Sequence, residues 1–553
     1  MERVWLQSYP PGVPADIDTS ALRSLTELLE QTCAQHGGRV AFIQMGTQLT
    51  YRQLDESSRA FAAWLQAEGF KPGDRIAIML PNTLQYPIAL FGALRAGLVV
   101  VNTNPLYTAP ELEHQLADSG ASVLLLIENF AHVAEQVLPR TRVRRVLLTS
   151  AGEFLSFPRS RLVDFVVRRV RKQVPAFKLP DALRFKTVLR RGRGLPFTRP
   201  DIGPDDLAFL QYTGGTTGVA KGAMLSHGNV SANVLQAGAW IGTAFAAPGV
   251  LVTAIPLYHI FALSGNLMLF ARLGWTNLLI INPRDIPRFV SELRKYRFNY
   301  ISGVNTLFNA LLHAPGFSEL DFSGLRVTLG GGMAVQSAVA ARWKATTGNI
   351  LTQAWGLTET SPAACINPPG LDFNGSIGLP ISSTEITIKD DAGMDVPTGA
   401  IGEICVRGPQ VMKGYWNRPD ETAKVMLPQG WLRTGDVGHI DEKGFVYIED
   451  RKKDMILVSG FNVYPNEVEA VVATLPGILE VAAVSQPDEH SGEVVALFVV
   501  RKDKDLTAEQ ILAHCRLSLA GYKVPKHVYF KEELPKSNVG KILRKSLRDQ
   551  LRA

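Results

Sequence analysis

The chain has 553 residues, 46% of them hydrophobic, with near-average glycine and proline, which fits a large multi-lobed body with a smaller partner and excludes a long disordered tract. Its four cysteines, Cys33, Cys365, Cys405 and Cys515, are scattered with no CxxC pair, as expected of reduced, mostly buried thiols in a cytoplasmic protein. The net charge of +7 is uneven: residues 151–200 hold 13 Lys/Arg against 3 Asp/Glu, a local +10, and the remainder sums to −3.

The opening Met1-Glu2-Arg3-Val4-Trp5 has no apolar signal core, so no secretion is predicted. Over the first two hundred residues, helical and strand patterns alternate. Helices are predicted at 22–35, 85–96, 111–119 and 130–137, and strands at 75–80, 98–101 and 123–127. Such alternation predicts an α/β fold with parallel sheet covered on both faces. Within 151–200, Leu162, Phe165, Val166 and Val170 recur at helical spacing, with Arg168, Arg171 and Lys172 opposite and Arg169 at the edge. A basic amphipathic helix suits either an anionic membrane surface, on the inner face of the cell membrane, or a solvated basic face. No aromatic residues alternate with these charges as stacking platforms, so no nucleic-acid partner is expected.

Residues 207–210 then read as a strand that enters Tyr212-Thr213-Gly214-Gly215-Thr216-Thr217-Gly218-Val219-Ala220-Lys221-Gly222. Four glycines, three threonines and a lysine in eleven residues suit a loop that wraps phosphates. Glycine lets backbone N–H groups approach, hydroxyls donate, and lysine neutralises. A Walker-type loop needs Gly-Lys-Ser/Thr; here Val219-Ala220 separate Gly218 from Lys221, and Gly222 follows. Residues 228–271 lack Asp, Glu, Lys and Arg, but Asn229, Asn233, Gln236, Pro248 and Pro256 break the run. A buried helix, a turn and a buried strand are predicted there rather than a membrane span.

His259 lies within the apolar run Pro256-Leu257-Tyr258-His259-Ile260-Phe261. A second nucleotide-type turn follows at Gly330-Gly331-Gly332-Met333, and then Trp355-Gly356-Leu357-Thr358-Glu359. Trp355 offers a flat face for a purine, and Glu359 a carboxylate for the Mg²⁺ that accompanies a triphosphate. Asp436, after Gly430-Trp431-Leu432-Arg433-Thr434-Gly435, suits a ribose diol or a plain turn. Nine charged residues between 441 and 454 mark an exposed connection. It predicts a large domain over 1–449 and a small mobile α+β domain over 450–553, with helices at 463–475 and 508–519 and strands at 481–484 and 494–500. That unit ends in a turn presenting Lys541.

In this order the motifs resemble the adenylate-forming superfamily, which includes acyl-CoA synthetases, nonribosomal adenylation domains and firefly luciferase. The likeness runs from about Ser24 to Arg548 and leans toward bacterial long-chain fatty acyl-CoA synthetases. That leaning rests on Val4-Trp5-Leu6, Asn104-Pro105-Leu106-Tyr107-Thr108, the run 303–311, Asp450-Arg451-Lys452-Lys453-Asp454 and Ser459-Gly460-Phe461-Asn462. The resemblance implies a multi-lobed N-terminal AMP-binding domain, ATP, Mg²⁺ and coenzyme A as co-reactants, and an acyl-adenylate intermediate feeding fatty-acid degradation or lipid synthesis. It implies that Tyr212, Thr213 and the loop to Lys221 cradle the β- and γ-phosphates. Thr358 would touch the α-phosphate, Glu359 would bind Mg²⁺, and Asp436 with Arg451 would hold the ribose. The turn at Gly330, Gly331, Gly332 and Met333, with Trp355 and Gly356, would frame the adenine. Lys541 would bridge carboxylate and α-phosphate.

By the same resemblance His259 stands at the mouth of an acyl pocket lined by Tyr258, Phe261, Val304 and Asn305. Lys453 would be the hinge that presents Ser459, Gly460 and Phe461 for thiolation. Tryptophan replaces the family's usual tyrosine at Trp355, and activity is expected to survive this. A ligase for shorter or aromatic acids, an adenylation domain serving a carrier protein, and a non-catalytic binder remain alternatives, and a homodimer is left open. The presence of Lys221, Glu359, Asp436 and Lys541 together speaks against the non-catalytic binder.

Overall fold

The computed structural model describes residues 3–213, 220–241, 245, 247–488 and 490–552. Gly214, Gly215, Thr216, Thr217 and Gly218 lie outside the described residues. Four sheets are formed among the described residues.

The first large sheet runs Leu183–Arg184, Arg145–Thr149, Val123–Ile127, Arg75–Met79, Val99–Asn102, Leu207–Thr213, Lys221–Ser226. All its pairs are parallel except the last. Val123–Ile127 shows why: all five residues are buried, as expected of a strand covered by helices on both faces. The second large sheet has nine strands, with Val250–Thr253, Tyr300–Gly303, Val327–Gly331 and Leu351–Gly356 side by side and parallel. Glu385–Lys389, Gly402–Arg407, Leu432–Ile440 and Val446–Arg451 form an antiparallel third sheet.

Helices begin where the chain supplies caps. Ser24 caps Leu25–His36 by accepting from Glu27 N, so the helix starts three residues later than its apolar pattern suggests. Thr50 and Gln53 form a reciprocal capping box at Tyr51–Ala67. The charge-free stretch makes the buried helix His227–Ile241, the strand Val250–Thr253 and a further run of helix from Ile260 to Arg272. Among the described residues no helix is long and apolar enough to cross a membrane.

The last sheet has its own core of valines and leucines, centred on Val468, Val481, Val495, Leu497 and Ile511. Its helix spans Pro465–Ala473 rather than starting at 463, because Pro465 fits the first helical position and Val463 is still in the strand Phe461–Val463. The hairpin of Ile456–Val458 with Phe461–Val463, the parallel strand His527–Lys531 and the helix Arg544–Arg552 complete the unit. Val446–Arg451 belongs to the third sheet and Ile456–Val458 to the last. The change of sheet therefore falls at residues 452–455.

Candidate active site

Parallel strands of both large sheets send their C-terminal ends to one place, where open α/β sheets bind ligands. Thr213 ends one strand and Lys221 begins its antiparallel partner, opposite it in register. Gly303, Gly331 and Gly356 end neighbouring strands of the second sheet. Asp436 and Arg451 face each other across the third sheet.

The described flanks of the glycine–threonine loop are held from outside. Tyr212 donates through its hydroxyl to Asp118 (2.7 Å), which also receives Arg418 (2.8 Å). Tyr212 thus anchors the strand rather than offering its hydroxyl to the loop. Lys221 is ion-paired with Glu421, and its Nζ sits 5.1 Å from the ring centre of Tyr415. The Lys221 ammonium, with Lys424 beside it, holds the Glu421 carboxyl down to about 2. Tyr415 also donates to Glu359 Oε1 at 2.7 Å, so one phenol joins the lysine of one loop to the carboxylate of another. Thr358 and Glu359 occupy a short 3-10 turn, half-buried.

Trp355 is buried, and its indole Nε1–H donates to Asp436 Oδ2 at 2.9 Å. Arg451 Nε lies 3.2 Å from Asp436 Oδ1. The strand carrying Asp436 is irregular here: Glu403 accepts from Gly435 N (3.1 Å) and Arg433, and Thr434 donates to Ile404 O (2.7 Å). Gly435 takes φ +72, a left-handed conformation that favours glycine.

The turn bearing His259 is pinned by two buried amides. Asn82 donates to Thr253 O and Ile255 O (3.1 Å each) and accepts from Leu257 N. Gln211 donates to Tyr258 O at 2.7 Å. His259 Nδ1 accepts from Phe261 N at 3.3 Å, capping the next helix. Burial, with Lys541 nearby, takes the imidazole down to about 3, so it is neutral at pH 7. A Cβ on Gly331 would lie 3.3 Å from the Phe261 ring, which places Phe261 against the glycine turn.

Lys541 reaches this site from the small unit. Ser537 and Lys541 close a tight loop, with Ser537 N donating to Lys541 O at 2.7 Å. Its Cε lies 3.3 Å from where a Cβ of Gly332 would stand, with φ +80 at that glycine. Thr306 donates to Gly540 O (2.8 Å), Asn309 to Leu479 O (2.9 Å) and Arg284 to Ser537 O (3.3 Å). These bonds hold the small unit against the large one. Burial and the neighbouring Arg451 bring the Lys541 ammonium down to about 8.

Not every expected residue converges. Val304 packs toward Gly332 and Gly540, but Asn305 exchanges hydrogen bonds with Gln336 (3.2 and 3.0 Å) and is buried there. Gly330 is buried and Met333 half-buried beside the turn. Ser459 (φ +49) and Gly460 (φ +86) form the exposed turn of a hairpin, whose Phe461 ring packs at a tilt on Tyr522, centres 5.0 Å apart. Lys453 is exposed in the connection. Sequence reading missed Tyr415, Glu421 and Asp118, whose roles come from pairings across 56 to 300 residues. The dense run Lys413–Glu421, polar and aromatic between strands, was the available signal.

The pattern of the AMP-binding enzyme family matches residues 29–416, and that of the AMP-binding enzyme C-terminal domain matches 467–541. The chain belongs to the AMP-binding enzymes. Among this family it is 55% identical over 556 residues to a long-chain-fatty-acid–CoA ligase of Escherichia coli O6:H1, covering 100% of this chain and 99% of the relative. It is 52% identical to the Haemophilus influenzae ligase of the same name, with 100% and 99% covered. A feruloyl-CoA synthase of Amycolatopsis is 35% identical, covering 94% and 95%. A benzoate CoA ligase from Burkholderia xenovorans superimposes with TM-score 0.82 at 25% identity, covering 95% and 100% of the two chains.

Proposed function

We infer that this AMP-binding enzyme is a long-chain-fatty-acid–CoA ligase. The observation that carries the reading is identity of 52–56% across essentially the whole chain to bacterial ligases of that name. A fatty-acid carboxylate oxygen attacks the α-phosphorus of ATP, the bond to the bridging oxygen breaks, and pyrophosphate leaves with the electron pair. The thiol of coenzyme A, giving up its proton to solvent, then attacks the acyl carbon; the carbon–oxygen bond to the phosphate breaks and AMP leaves with the electron pair.

The chain's residues fit the charges involved. Carboxylate and α-phosphate repel, so a cation between them lowers the barrier. Lys541 supplies it where it lies against Gly332. Asp436 has lone pairs left after Trp355 and Arg451, and these accept from ribose hydroxyls. Lys221 exchanges Glu421 for the triphosphate. His259, neutral, shapes the acyl entrance rather than moving a proton.

Among the described residues no group of three or more His, Cys, Asp or Glu is placed to hold a metal. Glu359 as a single carboxylate fits Mg²⁺ that arrives already bound to phosphates, the usual donor set for that ion. When bound, Mg²⁺ neutralises phosphate charge. The basic segment at 151–200 adds contact with an anionic membrane.

ATP–pyrophosphate exchange and acyl-CoA formation with palmitate, oleate, acetate, benzoate and ferulate test the substrate. The long-chain acids should lead. A clear preference for benzoate or ferulate would assign the chain to aromatic acids instead.

A further inference from the structure

The segment Arg159–Phe165, continued by the π-helical turn Val166–Val170, is docked with its polar side inward. Arg159 donates to Met45 O at 2.9 Å. Asp164 accepts from Ser150 Oγ and Gly152 N, both at 2.8 Å. Arg168 grips Glu128 with two bonds (2.6 and 2.8 Å), and that carboxylate, 3% exposed, also takes Arg184 at 2.9 Å. Three separate polar anchors thus fix the rotation of the helix.

The consequence is an inverted amphipathic helix. A surface helix of a globular protein turns its apolar stripe to the core. Here Phe157, Leu162, Phe165 and Val170 are 77%, 60%, 57% and 63% exposed. Nowhere else among the described residues do four large apolar side chains this exposed fall within fourteen positions. Around them stand Arg161, Arg169, Arg171 and Lys172, all exposed and without a carboxylate partner among the described residues. Arg161 lies 5.9 Å from the centre of the Phe157 ring. The acidic groups nearby, Glu128 and Asp164, face inward.

We propose that Phe157, Leu162, Phe165 and Val170 insert into an anionic lipid bilayer, with Arg161, Arg169, Arg171 and Lys172 on its headgroup phosphates. The proposal rests on the membrane contact assigned to 151–200 and adds that an apolar face, not charge alone, makes it. Charge selects the occupant. A second copy on this face would bring two sets of unpaired cations together, which like charge opposes. A bilayer with anionic headgroups accepts both the apolar residues and their basic rim.

Flotation with vesicles of phosphatidylcholine, alone and mixed with phosphatidylglycerol, tests this on the full chain. Three proteins are compared: the parent, Leu162→Ser/Phe165→Ser, and Arg161→Gln/Arg169→Gln/Arg171→Gln. Acyl-CoA formation without vesicles should match the parent in both variants, as a check of folding. The parent should partition onto the mixed vesicles, and each variant should lose about tenfold or more of that partitioning. If the serine variant binds as well as the parent while the glutamine variant does not, charge contact survives and insertion of the apolar face is overturned. No binding by the parent overturns both. Concentration-dependent dimers of the parent that the serine variant loses would make the face a protein interface and overturn the proposal too.

Discussion

Trp355 and Asp436 are 81 residues apart and joined by one hydrogen bond, indole Nε1–H to carboxylate Oδ2 at 2.9 Å. The carboxylate is 5% exposed, so the bond is made away from water. Where the family usually has a tyrosine, with a stacking face and a hydroxyl, tryptophan keeps the face and turns a donor onto Asp436, the residue proposed to hold the ribose.

Trp355→Phe keeps an aromatic face and removes the donor. A hydrogen bond to a charged group is worth about 1.5–3 kcal/mol. The KM for ATP should rise at least about tenfold while the KM for fatty acid stays within about twofold. Unchanged ATP dependence in steady-state assays would mean that Arg451 alone orders Asp436.

Glu359 and Tyr415 give a second test. Glu359→Gln keeps volume and an acceptor for the Tyr415 hydroxyl but removes the charge. Pyrophosphate exchange should be abolished while stability in thermal unfolding falls by no more than about 1.5 kcal/mol, the difference between a charged and a neutral hydrogen-bond acceptor. Full exchange activity would remove Glu359 from the site.

Arg544 ties the last sheet to the third. It contacts Asp450 Oδ1 (3.2 Å), Glu469 (3.0 and 2.8 Å) and Asn466 Oδ1 (2.6 Å), and Asn466 N donates to Asp450 Oδ2 (2.8 Å). Asp450 is almost fully buried, so Arg544→Met leaves carboxylates without their cation. Removal of one partner from such a buried pair costs about 3–5 kcal/mol. Denaturant unfolding should lose that amount, and an unchanged midpoint would show that the network carries no stability.

The pH dependence follows from Lys541. Its folded-state value of about 8 lies below that of free lysine, about 10.4. Folding therefore disfavours the charged form, and stability rises with pH between these two values. The proposed role of Lys541 requires its ammonium, so kcat/KM should fall above about pH 8 in the free enzyme. A profile flat to pH 10 would contradict the assignment. His259, neutral above about 3, should contribute no step between pH 5 and 8.

Much of this was legible in the sequence because the strongest signals were local. Val123–Ile127 is a fully buried strand and reads as one, and the helix Pro465–Ala473 is legible from its pattern, although that pattern starts it two residues early. The glycine turns at Gly303 and Gly331 lie at strand ends, so they stand out by composition. What stayed hidden depends on long-range pairing. Nothing near Glu421 shows that it neutralises Lys221, and Asn305, which reads as pocket lining, is spent on Gln336. The helix from Arg159 was recognisable, but its inversion follows from Glu128, Ser150 and Met45, which periodicity does not register.

Lys541, carried by the small unit, has its proposed role in the first half-reaction, in the orientation seen here. Thr306, Asn309 and Arg284 hold that unit so that Lys541 lies against Gly332, while Ser459, Gly460 and Phe461, proposed for the second half-reaction, stand on an exposed turn elsewhere on that unit. Lys541→Ala should lose about 2–4 kcal/mol of transition-state stabilisation in ATP–pyrophosphate exchange with a long-chain acid. Given synthetic acyl-AMP and coenzyme A, the same variant should form acyl-CoA at near the parent rate. Equal loss in both half-reactions would contradict the account and place Lys541 in one fixed site.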